Sequence, residues 1–247
     1  MKIGNDGYFS ISYTKNDTKD NSSFDCCVAN TSTFRAVVDD PRDQTLVYSD
    51  FQFSDKLVLS AASPTFKGFQ LGAILNGVGG TRYSFLVGGN KSINGDFVLT
   101  NDLAYVFDPN GANVPASVKT GMQGLLDNPD VTESVKTYIR ESIGKVAVRN
   151  GGVNPFYYTV DLRLTKDIHF LKKHNMSLSA DIFNFMNMLD KNEGVSYNHG
   201  NINLVSMTGF DQKTQNYNYN VETAAGRKLN SAGGTPWRIQ FGLRYSF

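Results

Sequence analysis

From Trp237 to Phe247 the chain alternates without interruption. Trp237, Ile239, Phe241, Leu243, Tyr245 and Phe247 take one side, and Arg238, Gln240, Gly242, Arg244 and Ser246 the other. A period of two belongs to an extended strand, whose successive side chains point to opposite faces. This strand therefore has one face suited to an apolar surrounding and one suited to a wet one. The segment after Asn154 repeats the pattern, with Phe156, Tyr158, Val160, Leu162, Leu164, Ile168 and Phe170 on one face, broken only by Lys166. Thr159, Asp161, Arg163, Thr165 and Asp167 oppose them. A polar turn at Lys172-Lys173-His174-Asn175 leads to a third run, in which Met176, Leu178, Ala180, Ile182, Met186 and Met188 face away from Ser177, Ser179, Asp181 and Asn187. These two runs read as an antiparallel hairpin.

The same period recurs earlier. Phe9, Ile11 and Tyr13 form one short run, and Phe51, Phe53, Leu57, Leu59 and Ala61 another, with Asp55 on its apolar face. After the turn Ser63-Pro64-Thr65, Phe69, Leu71, Ala73 and Leu75 begin a strand expected to run on through Tyr83 to Val87. The total is about six strands. Turns of about three or four residues alternate with polar insertions of about thirty to sixty-five, whereas soluble sandwiches keep both ends short. Residues 16–45 are rich in Asn, Asp, Ser and Thr, and residues 190–235 in Asn, Gly and Tyr, with a hairpin expected from Ile202 to Val221. Asn128 as N-cap, Pro129 at the first helical position and Val131, Val135, Tyr138, Ile139, Ile143 and Val146 at helical spacing predict a surface helix over 130–148.

Short turns at one end and long loops at the other, joined by strands of ten residues or so, describe an outer-membrane barrel, because ~9–11 tilted residues cross the bilayer core. If the last strand ends on the periplasmic side, Lys172 to Asn175 and Ser63 to Thr65 become periplasmic turns and the three insertions extracellular. Phe156, Tyr158 and Trp237 then lie at the outer interface and Phe170, Tyr245 and Phe247 at the inner one, as aromatic girdles require. The 247 residues carry 24 basic and 23 acidic side chains, a net charge of +1, which leaves no footprint for a nucleic-acid partner. Apolar content of 40% with 19% charged residues argues against disorder. No apolar run approaches the ~18 residues of a membrane helix, but alternating barrel strands average out in hydropathy. Met1 to Gly7 has a lysine and no apolar stretch, so no secretory leader is expected there.

The ending Gln240-Phe241-Gly242-Leu243-Arg244-Tyr245-Ser246-Phe247 resembles the C-terminal signal read by the outer-membrane barrel assembly machinery, with Gln240, Gly242, Tyr245 and Phe247 at the matching positions. More widely, the chain resembles the C-terminal β-barrel part of TonB-dependent outer-membrane receptors, in particular the Oar-like group of Bacteroidota. The stretches that carry the likeness are Gly79 to Phe85, Asn101 to Phe107, Arg149 to Leu164, Leu178 to Leu189 and Trp237 to Phe247. Such receptors are described as barrels of about 22 strands closed by a plug, importing a ligand with energy relayed through TonB. The resemblance implies an all-β fold for residues 1–247: an antiparallel meander of about six long strands, forming an open arc of a transmembrane β-barrel, with one short helix in a long extracellular loop. It also implies a cell outer membrane location, with membrane lipid and the assembly machinery as partners and TonB only through an N-terminal part not represented in this sequence. The plug and roughly sixteen earlier strands have no counterpart, so a receptor fragment inactive by itself is expected. The rival expectation is a soluble β-rich carbohydrate-binding or adhesion module.

No catalytic or cofactor-binding constellation emerges, and an enzyme is not expected. His169, His174 and His199 are scattered, Cys26 and Cys27 are adjacent, and none of these spacings makes a zinc site. Asn90, Ser92, Asn94-Gly95-Asp96 and Asn101-Asp102 form an oxygen-rich loop that lacks the acidic first position and bidentate Glu of a calcium loop. Gly79-Gly80 and Gly88-Gly89 lack the following helix of a phosphate cradle. Tyr197, Asn198, Tyr217, Asn218 and Tyr219 are candidate ligand-contacting residues at the outer mouth, where amphipathic rings and adaptable amides suit recognition.

Overall fold

A computed structural model describes residues 1–21, 23, 45–170, 174–227 and 236–247. Cys26, Cys27, Lys172 and Lys173 lie outside the described residues. In chain order the first strands are β1 (Lys2–Ile3), β2 (Gly7–Lys15), β3 (Lys19–Asp20) and β4 (Val47–Tyr48). Next come β5 (Asp55–Ala62), β6 (Phe69–Gly79), β7 (Arg82–Tyr83) and β8 (Phe85–Gly88), followed by helices α1 (Ala116–Asp127) and α2 (Glu133–Ser142). Then follow β9 (Gly152–Val153), β10 (Tyr157–His169), β11 (Asn175–Phe183) and the short helix α3 (Phe185–Leu189). The last strands are β12 (Ile202–Asp211), β13 (Asn216–Val221) and β14 (Arg238–Ser246). The protein is mostly β, built around one large antiparallel sheet.

That sheet has seven strands in the order β1-β2-β5-β6-β10-β11-β14, a meander in sequence order whose every pairing is antiparallel. It is open: β1 and β14 are its edges, and among the described residues they do not pair with each other. The registers align the apolar positions of each strand with those of the next. Ile11 opposes Leu59, Leu59 opposes Leu75, and Leu75 opposes Val160. Further along, Leu162 opposes Ile182, and Ile182 opposes Ile239. Side-chain alternation does the rest, because a register slip of one residue would scatter these positions between both faces. One apolar face results, continuous from Phe9 to Phe241. Among the described residues no element packs over it: Ile11, Leu243 and Phe241 on the outer strands are 62%, 68% and 80% exposed, and Leu59, Leu75 and Leu162 in the middle are half-buried. Lys166, which interrupts the face, opposes Phe69, sets its ammonium 4.1 Å from the centre of that ring and donates at 2.6 Å to the Lys67 carbonyl in the nearby turn. Its stem covers apolar surface while its charge leaves at the rim.

The buried core lies elsewhere. Tyr83, Phe85, Val106, Met122, Leu125, Ile139, Leu204 and Val205 are at most 1% exposed, and all of them belong to the insertions at the long-loop end. There β8, β12 and β13 form a three-stranded sheet against which α1 and α2 pack. This cap stands beyond one end of the large sheet, joined to it by β7 and β9. The hairpin expected from Ile202 to Val221 is present as β12 and β13. Several boundaries differ from expectation. The strand begun at Phe69 stops at Gly79, because Gly80 takes φ +71 and turns the chain into the cap as β7 and β8. Phe51 and Phe53 precede their strand, which starts at Asp55. Met186 and Met188 belong to α3, since Asn184 at φ +52 ends β11. The helix expected over 130–148 is shorter, and Asn128 caps the C-terminus of α1 while Thr132 occupies the N-cap of α2. No helix among the described residues is long and apolar enough to cross a membrane.

Candidate functional site

Gln240, Gly242 and Tyr245 sit on β14, the last strand of the large sheet, and pair with Asp181, Ser179 and Met176. A Cβ at Gly242 would come within 2.6 Å of the Ser179 hydroxyl, so a side chain here would require that hydroxyl to rotate away. Tyr245 shares a 2.5 Å hydrogen bond with His174 and lies 6.2 Å from the Phe170 ring, and Phe247 is 5.9 Å from Tyr245. The three aromatics read as an inner girdle thus gather at the short-turn end. At the other end, Phe156 lies across Gly77 and Gly79, where any Cβ would meet its ring within 3 Å. Tyr158 bonds Glu193 at 3.2 Å and the Trp237 amide donates to Asn187 at 3.3 Å.

On the face opposite the apolar one, Arg163 grips Asp181 through two nitrogens at 2.8 and 3.2 Å. Asp161 accepts the Asn184 amide at 2.8 Å. These groups, with Tyr8, Gln70, Thr165 and Gln240, line a shallow concavity of about 590 Å³. The face mixes these polar groups with Val58, Ile74, Val78 and Phe183, and it carries most of the sheet's charged side chains, Lys166 and Asp55 being among those on the apolar face.

Between sheet and cap runs a buried polar layer. Arg149, 2% exposed, donates to the Asp20 carboxylate at 2.5 Å, to its carbonyl at 3.0 Å and to the Ser23 hydroxyl at 3.0 Å, with Asp50 at 3.8 Å. Burial alone would raise the Asp20 carboxyl, but hydrogen bonds from Arg149, Ser49 and Ser23 outweigh it and hold it below the usual range. Asn150 bonds the Tyr48 carbonyl at 2.8 Å and Asp50 at 2.6 Å. His199, 6% exposed, meets the Thr132 hydroxyl at 3.0 Å, packs edge-on against Tyr83 and exchanges two bonds with Asn154. Burial lowers the His199 pKa and pushes Tyr83 up to about 12. This layer ties all three insertions to the top of the sheet. The sequence pattern singled out Arg149 to Leu164 without assigning Arg149 or Asn150 a task.

The candidate loop residues separate into two places. Tyr197 and Asn198 are half-buried near the base of the cap, where Asn198 receives the Thr81 hydroxyl at 3.5 Å. Tyr217 and Tyr219 share one face of β13, 6.5 Å apart, and Asn218 lies on the other. Their row extends to residues the pattern did not single out: Phe210 is 5.2 Å from Tyr217, Phe107 5.4 Å from Tyr219, and Tyr105 5.1 Å from Phe107. Cross-strand pairing of the predicted hairpin could have found Phe210, which opposes Tyr217. In the oxygen-rich loop, burial would raise the Asp96 carboxyl, yet bonds from Asn101, Val98, Asn94 and Ser92 hold it low. Asp102 is raised by burial and by the charge of Asp96, and it accepts the Ile93 amide. Turn donors thus fill these oxygens, and no group of metal-ligating side chains occurs among the described residues. His169 is exposed at the end of β10, opposite Asn175. No family model, no curated protein and no solved structure matches the chain.

Proposed function

We propose that this chain is the C-terminal wall of a transmembrane β-barrel of the TonB-dependent receptor type, serving ligand uptake across the outer membrane and acting only within the complete receptor. One observation carries the reading: the large sheet presents a register-continuous apolar face to its surroundings, while among the described residues the buried apolar core lies in the cap. In water an apolar face of that extent would be a liability, whereas in a bilayer it is the required contact. The opposite face, with Arg163, Asp181 and Asp161, suits a wet lumen. The aromatics at both strand ends suit the two interfaces. The open edges support membership of a larger ring, since unpaired backbone groups in lipid cost several kcal/mol each. A soluble carbohydrate-binding or adhesion module would leave the apolar face without cover.

In the complete receptor, Leu162→Arg should cost ~2–4 kcal/mol, because Leu162 lies mid-strand on the apolar face, and Thr159→Arg on the polar face should be tolerated. Folding titrations of the two variants into lipid vesicles measure the difference. Equal tolerance of both would remove the barrel assignment.

A further inference from the structure

Strand β13 is the outer strand of the cap sheet, whose order is β13-β12-β8. Its even-numbered residues turn their backbone towards β12: the Asn218 carbonyl accepts the Thr208 hydroxyl at 3.1 Å, and the Glu222 amide beyond the strand donates to Leu204 at 2.9 Å. Backbone direction alternates along a strand, so Tyr217 and Tyr219 present their N–H and C=O groups outward. Among the described residues no strand pairs with that side. Natural sheets blunt such edges with charge, proline or a bulge on the edge strand. Asn216–Val221 has no charge and no proline, and the register irregularity of the hairpin falls on β12, at Met207 and Gly209. Tyr217 is 42% exposed, and Asn216, Asn218 and Asn220 are exposed with it.

Residues 216–220, Asn-Tyr-Asn-Tyr-Asn, read the same in both directions. An antiparallel strand of the same sequence centred on Asn218 therefore sets Tyr217 opposite Tyr219 of a second copy, Asn216 opposite its Asn220, and Asn218 opposite its equivalent. The outward groups of Tyr217 and Tyr219 are the ones such a partner would engage, in two hydrogen-bonded pairs about the dyad. One face then holds tyrosine pairs, continued in each copy by Phe210 and Phe107, and the other holds amide pairs. Nothing of like charge is opposed. We propose that β13 is a homotypic docking edge, through which two copies of this chain join their caps into one continuous sheet. The contact is isologous and closes at two copies. It requires only the cap and stands apart from the membrane assignment.

The test is disulfide trapping of the full chain in micelles of a zwitterionic detergent, with Cys26 and Cys27 replaced by serine. Asn218→Cys should cross-link to its equivalent, because residues of a non-hydrogen-bonded antiparallel pair lie ~4.5 Å apart between Cα atoms, within disulfide reach. Asn216→Cys alone and Asn220→Cys alone should remain single chains, each being ~13 Å of strand from its own copy, whereas a mixture of the two should cross-link. Tyr217→Pro deletes an outward N–H and should lower the Asn218→Cys cross-link by about tenfold. Asn218→Lys leaves the backbone intact and opposes two cations, so it should suppress the mixed cross-link equally. The proposal is overturned by a single-chain Asn218→Cys, by equal cross-linking at all three positions, or by cross-links indifferent to both Tyr217→Pro and Asn218→Lys.

Discussion

Arg149 shows how one residue holds distant insertions together. Its guanidinium reaches Asp20 and Ser23, far away in sequence, and its position beside Asn150 brings Tyr48 and Asp50 to the same place. Arg149→Ala would strand two partly buried carboxylates, and a cost of about 2–3 kcal/mol is expected in urea unfolding, below that of a fully buried pair because a quarter of each carboxylate side chain meets solvent. The role was not legible in the sequence, since the acids lie about a hundred residues away or more, and no local period links them. His199 offers a second handle. Burial in the closed cap depresses its pKa below the ordinary 6.5. An opened cap releases the ring, so as pH falls below 6.5 the open form takes the proton first. The stability from the neutral ring is therefore complete above pH 6.5 and is lost as pH falls through the lowered folded value. Thermal unfolding of the cap should shift to lower temperature on acidification, and His199→Gln should flatten that dependence.

Among the elements, the long strands of the sheet were legible because strict alternation matches the two-residue repeat of an extended chain and clashes with the 3.6-residue repeat of a helix. The pairing of β5 with β6 and of β10 with β11 followed from the short turns, whereas the order across the long insertions was expected only from the barrel resemblance. The cap carries a weaker signature. Helix α1 has Val118, Met122 and Leu125 at helical spacing, yet Gly121 and Gly124 dilute the pattern, and no helix is expected there from the sequence. The two glycines differ in kind. A Cβ at Gly121 would meet Val221 at 2.6 Å, whereas Gly124 faces open space. Gly124→Ala should stabilise the cap by about 0.5–1 kcal/mol through helix propensity, and Gly121→Ala should destabilise it by pushing α1 off β13. Paired urea titrations would show opposite signs. The Asn128-Pro129 signal is genuine turn chemistry that belongs to a different helix end: Asn128 closes α1, and the chain turns through Asp130 before Thr132 opens α2.

For the whole molecule, the membrane-wall proposal rests on the separation between an exposed-faced sheet and a cored cap. A soluble protein of this size would place its largest sheet against its core. Here the two are stacked end to end, the polar layer around Arg149, Asn150 and His199 lying between them. Alternation alone could foresee that the sheet has an apolar face. What that face meets depends on the position of the core, which rests on contacts among insertions whose pairing carries no short-range signature. The most direct test is site-directed spin labelling of the chain in detergent micelles, with Cys26 and Cys27 replaced by serine. Nitroxides at Leu162, Ala180 and Phe241 should be relaxed by dissolved oxygen and shielded from a water-soluble nickel chelate, and nitroxides at Thr159, Ser179 and Gln240 the reverse. Equal nickel access on both faces, together with a monodisperse monomer in detergent-free buffer, would contradict the membrane-wall account.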